Sequence, residues 1–104
     1  MITRQSQPRQ KEMITRQSQL RQKERILSQR SKENLILLGL DDGQYYALNR
    51  VGGRVWQLCD GTRTVSEIVS ILCEEFAAPA ATIELDVLEL LEDLANGNLV
   101  VEAS

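Results

Sequence analysis

The chain has no histidine at all, only two cysteines, two prolines and four aromatic residues in 104 positions. Without His, the commonest general base and metal ligand is missing. Cys59 and Cys73 stand fourteen positions apart, outside any CxxC or other metal-ligand spacing. They read as small buried hydrophobes on predicted helices, with a structural disulfide as the alternative. No GxSxG, no phosphate-cradling glycine loop and no clustered ligand set occurs, so neither catalysis, nor a metal, nor a cofactor is expected. The many carboxylates at helical spacing read as a solvated face. No apolar run approaches the roughly 20 residues that cross a bilayer, and the N-terminus lacks the apolar centre of a secretory signal. A cytoplasmic protein with no membrane partner is the resulting expectation. With so few aromatics, Leu, Ile and Val must supply most of a modest core.

Basic residues are also absent from one region, since no Lys or Arg follows Arg63. The formal net charge of -3 therefore conceals a split: residues 1–30 carry eight Lys/Arg against Glu12 and Glu24, and the remainder carries four against thirteen Asp/Glu. An acidic half of this kind favours a basic or neutral partner and opposes nucleic acid.

What the chain does contain begins with a tandem repeat. Residues 1–12 (MITRQSQPRQKE) and 13–24 (MITRQSQLRQKE) differ only at Pro8 and Leu20. Twelve steps of about 100° leave an offset of about 120°, so the two copies cannot share one helical face. The repeat is polar and poor in core formers. Residues 1–24 are accordingly expected to be a basic tail, disordered or a fraying helix, followed by one domain over 25–104. A duplicated start region with Met13 as a second initiation site accounts for the repeat; a basic arm for an acidic partner or nucleic acid is the sharper reading.

From Arg25 the pattern becomes that of a fold. Ile26 and Leu27 can begin an edge strand, residues 34–40 (NLILLGL) form a short apolar run, and Asp41, Asp42 and Gly43 make a turn. Tyr45, Tyr46 and Leu48 complete a hairpin with β-favouring aromatics. Three helices are predicted next. Val51, Val55, Leu58 and Cys59 stripe the first, which ends at Asp60 and Gly61. Thr64 and Glu67 form a capping box for the second, whose face is Val65, Ile68, Val69, Leu72 and Phe76. Pro79 marks the break, and Thr82 is expected to cap a third helix carrying Ile83, Val87, Leu90, Leu91 and Leu94 to near Gly97. Leu99, Val100 and Val101 can return as a final strand.

The run Tyr45-Tyr46-Ala47-Leu48-Asn49, with Gly52, Trp56, Asp60, Gly61, Thr64, Val65, Glu67, Ile68, Asp86, Val87 and Leu94, resembles the RiPP recognition element typified by coenzyme PQQ synthesis protein D. RiPP denotes ribosomally made, post-translationally modified peptides. The likeness covers about residues 26–101, and LNRVGGRVW is similar to the standalone leader-binding proteins of lasso peptide pathways. It implies an α+β, winged helix-turn-helix-like fold: a three-stranded antiparallel sheet followed by three helices. It also implies a non-catalytic adaptor that binds a precursor's leader segment by strand addition and presents it to a leader peptidase or other maturation enzyme.

Under that resemblance Gln44, Tyr45, Tyr46, Ala47 and Leu48 are the receiving edge, and Leu85, Leu88 and Glu92 the facing helix wall. Leu85 stands opposite the third helix's core stripe and Leu88 at its margin. Glu84 and Glu92 would attract Lys or Arg of the peptide. Trp56 reads as packing, with ligand contact as the alternative. An unpaired edge could also join a second copy, so a monomer or weak homodimer is expected. The rival class is a DNA-binding winged helix-turn-helix regulator. Its recognition helix would have to be the third, which offers Glu84, Asp86, Glu89, Glu92 and Asp93 and no cation, opposing the phosphates.

Overall fold

The computed structural model describes residues 14–103. Two small antiparallel sheets and three helices enclose one apolar core. The first sheet is the predicted hairpin plus its edge strand, in the order β2 (Ile26–Ser31), β3 (Asn34–Gly39), β4 (Tyr45–Leu48). Leu35 and Leu37 of β3 and Leu48 of β4 point inward and are buried. Gly43 turns the chain at φ 73°, a conformation that costs a residue without Cβ little.

Helix α1 (Arg50–Leu58) is capped by Asn49, whose side chain accepts from Gly52 N–H at 2.8 Å. It buries Val55, Trp56 and Leu58. Trp56 is only 4% exposed, so its ring is core. Helix α2 (Val65–Phe76) starts with the predicted capping box: Glu67 N–H donates to Thr64 Oγ1 and Thr64 N–H to the Glu67 carboxylate. Helix α3 (Ala80–Asn96) buries Ile83, Val87, Leu91 and Leu94.

The expected cap at Thr82 does not form, and α3 starts three residues earlier, at Ala80. Ala77 ends α2 in the left-handed region (φ 51°), and Pro79 stands at the N-cap with no side-chain cap bond. Proline's fixed φ suits a helix entry, and its missing N–H is no loss there. Thr82 therefore lies inside the first turn.

The second sheet corrects the expectation of a polar tail through residue 24. Strand β1 (Gln19–Gln22) is its centre, flanked by β5 (Asp60–Thr64) and β6 (Val100–Glu102). Leu20 is 2% exposed and joins the core. The segment before it serves α2, whose first N–H groups have no intrahelical partner: Val65 N–H donates to the Ser18 carbonyl and Ser66 N–H to that of Arg16. One apolar side chain, two strand partners and a helix terminus thus order a polar stretch. The first copy of the repeat and Met13 lie outside the described residues.

The final strand expected near Leu99 is β6. Cys59 and Cys73 are free thiols; burial, with the nearby Asp60 charge, pushes the Cys59 thiol up to about 12, which leaves it unreactive. No helix among the described residues is long and apolar enough to cross a membrane.

Candidate functional site

Strand β4 is one of the two outer strands of its sheet, opposite β2, and two turn hydrogen bonds fix which of its peptide groups are unpaired. Gly39 N–H donates to the Gln44 carbonyl at 2.8 Å, while Leu40 N–H donates to the Arg25 carbonyl at 2.9 Å. Antiparallel partners alternate between bonded and non-bonded pairs. Leu35, Leu37 and Gly39 therefore bond toward β4, and Ile36 and Leu38 toward β2. Registry then carries the pattern across: Tyr46 pairs with Leu37 and Leu48 with Leu35. Tyr46 and Leu48 turn their backbone groups inward, as does the Gln44 carbonyl, while the Gln44 N–H donates to Asp42 Oδ1 at 3.1 Å. Tyr45 and Ala47 turn theirs to the open edge.

Beside that edge lies a cleft of about 330 Å³. Ala47, Leu48 and Asn49 line one side, Val51 and Val55 of α1 the base, and Ile83, Asp86, Val87 and Leu90 of α3 the far wall. Tyr46 ties β4 to α3, its hydroxyl donating to the Asp93 carbonyl at 3.4 Å. That seat depends on Gly97: a Cβ there would stand 2.5 Å from the Tyr46 hydroxyl oxygen, closer than atoms can pack. Tyr45 projects to the other face of the sheet and is 71% exposed.

Of the expected site residues, Ala47 and Leu48 line this cleft, whereas Leu85, Leu88, Glu84 and Glu92 lie elsewhere on α3. Leu85 is 59% exposed and stands about 100° around α3 from Asp86. Leu88 is half-buried against the core, and Glu92 is exposed; neither lines the cleft. Glu84 is held by Arg16, whose Nε donates to its carboxylate at 2.8 Å, so a residue of the repeat's second copy already occupies it. The cleft's carboxylate is Asp86 instead, and its apolar wall Leu90. Leu90 belongs to the predicted core stripe and lines the cleft as well; its spacing of four from Asp86 and three from Asp93 is the signal for a shared face.

Asp86, Glu89, Glu92 and Asp93 make no ion pair among the described residues. Helix α3 therefore carries uncompensated negative charge, of which Asp86 stands in the cleft wall itself. No group of described residues could hold a metal ion.

Three antiparallel strands, an open outer edge and a third helix across an apolar cleft define a domain of the RiPP recognition element type. The family model for Coenzyme PQQ synthesis protein D (PqqD) matches residues 34–100, and the chain belongs to that family. The PqqA binding protein of Rhodopseudomonas palustris (strain BisB5) is 43% identical over 49 residues, 47% of this chain and 48% of that protein. The chain spans about half the length of the curated relatives it matches.

Two solved structures are similar over most of the chain. TbiB1, in complex with the TbiA(beta) leader peptide, is 31% identical with a TM-score of 0.69, covering 77% of this chain and 93% of that one. The PqqD truncation of Methylobacterium extorquens PqqCD, a functional stand-alone RiPP recognition element, is 26% identical with a TM-score of 0.72, covering 85% and 94%.

Proposed function

We propose that this chain is a non-catalytic adaptor: it binds the leader segment of a ribosomally synthesised precursor peptide as an added strand on β4 and presents it to a maturation enzyme. The observation that carries this reading is the open edge at Tyr45 and Ala47, set against an apolar cleft. Main-chain bonds to those residues supply affinity, and alternate peptide side chains entering the cleft supply selectivity. An aliphatic or aromatic residue suits Leu48, Val51 and Leu90. A Lys or Arg beside it suits Asp86, with Glu92 and Asp93 adding attraction at longer range.

The complex of TbiB1 with a leader peptide and the relatives named as PqqA binding proteins support the reading. The free carboxylates of α3 argue against the DNA-binding alternative, as does the occupation of Arg16 by Glu84.

Fluorescence anisotropy tests it. A labelled leader peptide, from a precursor encoded beside this protein, is titrated with the full chain, with random duplex DNA as control. Saturable leader binding without duplex binding is the expected result. Salt-sensitive duplex binding without leader binding would overturn the assignment.

A further inference from the structure

The groove leaves one concentration of charge unused. Residues 26–103 hold five Lys/Arg against thirteen Asp/Glu. Four of the five (Arg30, Lys32, Arg50 and Arg54) gather at the β2–β3 turn and the first turns of α1.

Arg30, Arg50 and Arg54 line a concavity of about 200 Å³ whose walls include Leu35 and Phe76. Arg54 is already engaged, gripping Glu75 through Nε at 2.9 Å and Nη2 at 2.8 Å; that pairing holds the Glu75 carboxyl below its usual range. The Arg50 guanidinium lies 5.6 Å from the Phe76 ring centroid, a cation–π contact that steadies the fork without neutralising it. Arg50, Arg30 and Lys32 make no ion pair among the described residues. With Glu33 as the other carboxylate of the concavity, three lining cations meet two anions, and Lys32 stands next to Glu33 at the β2–β3 turn.

This is a carboxylate site by its chemistry. Guanidinium forks match a carboxylate's two oxygens, and Leu35 with Phe76 suits the methylene stem of Glu. An extended polyanion such as duplex DNA would also meet the eleven carboxylates elsewhere in residues 26–103, which oppose it. The side of α1 that carries Arg50, Arg54 and Gln57 is turned away from Val51 and Val55, which face the cleft beside β4. The two concavities meet only at Asn49, the N-cap of α1.

We propose that the Arg30 and Arg50 concavity is a second docking site, which takes an acidic side chain within a Glu-rich segment of a protein partner. Asn49 is the single lining residue the site shares with the cleft, and neither Arg30 nor Arg50 lines the cleft, so the two assignments can fail separately. As adaptor, the chain then holds two ligands at once, a peptide on β4 and an acidic protein surface on the far flank of α1.

The test is an NMR titration of the isotope-labelled full chain with N-acetyl-hexaglutamate amide, beside inorganic phosphate and duplex DNA. It is repeated for R30E/R50E and the milder R30Q/R50Q, with leader binding measured on each as a check of fold and groove. The expected result is saturable shifts confined to Arg30, Leu35, Arg50, Arg54 and Phe76. Affinity should fall by about tenfold or more in a variant whose leader binding is unchanged. Shifts elsewhere, equal affinity in the variants, or tighter binding of phosphate or duplex at this concavity would each overturn the proposal.

Discussion

Ala47→Pro is the sharpest probe of the edge. The registry turns the Ala47 N–H outward, where no other described strand meets it, so proline removes a donor that the fold itself does not use. Edge strands tolerate proline in that orientation, and the extended conformation it imposes on the preceding residue is the one Tyr46 already has within β4. Folding should change little. A bound strand loses one hydrogen bond, worth about 1 kcal/mol net, and strands its own carbonyl against the ring for about 1 kcal/mol more. A total near 2 kcal/mol is roughly a thirtyfold weaker Kd. Anisotropy with the leader peptide reads the affinity, and thermal unfolding reads the fold. Tyr46→Pro is the control, because its N–H points to Leu37 and its loss should destabilise the sheet. A folded Ala47→Pro variant with unchanged affinity would refute strand addition at β4.

The wall is tested by a pair of substitutions: Leu90→Asp should weaken leader binding by about tenfold or more, while Leu85→Asp should leave it unaltered. Leu20→Ala should cost about 2–4 kcal/mol, read as a lower denaturant midpoint with an unchanged slope. Ala77→Gly should relieve left-handed strain at the end of α2 and raise Tm by about 2–4 °C; a lower Tm would show that the strain is not there to relieve.

Local signals in the sequence carried far. The hairpin at Asp41 to Gly43, the Thr64 and Glu67 box and the stripes of α1 and α2 each lie within a few residues, where turn chemistry and periodicity act. The second sheet was not legible, because its central strand is QLRQ, with one apolar residue, and its partners lie some forty and eighty positions away. Asp60 to Thr64 read as a helix stop followed by a cap, both correct, and yet the same residues also pair as β5. For α3, Leu85, Leu88 and Leu90 offered more than one apolar face. Only packing against Leu48 and Val55 settles the phase, and it selects Leu90. The Arg16 and Glu84 pair spans 68 positions, and no spacing rule reaches that far.

An open strand edge invites a second copy as readily as a peptide, and the charge on α3 decides between them. Two β4 edges pairing about a twofold axis would bring both clefts together, with Asp86 and Asp93 of one copy approaching those of the other. These side chains have no cation partner among the described residues, so like charges would meet in a partly dry interface and oppose association. A peptide carrying Lys or Arg meets the same carboxylates with the opposite sign. Asp86→Asn/Asp93→Asn should therefore shift the selection in both directions: more dimer by sedimentation equilibrium, and weaker, less salt-dependent leader binding. A variant that stays monomeric at concentrations where the parent does, with unaltered leader affinity, would show that the carboxylates play no part in keeping the edge for the peptide.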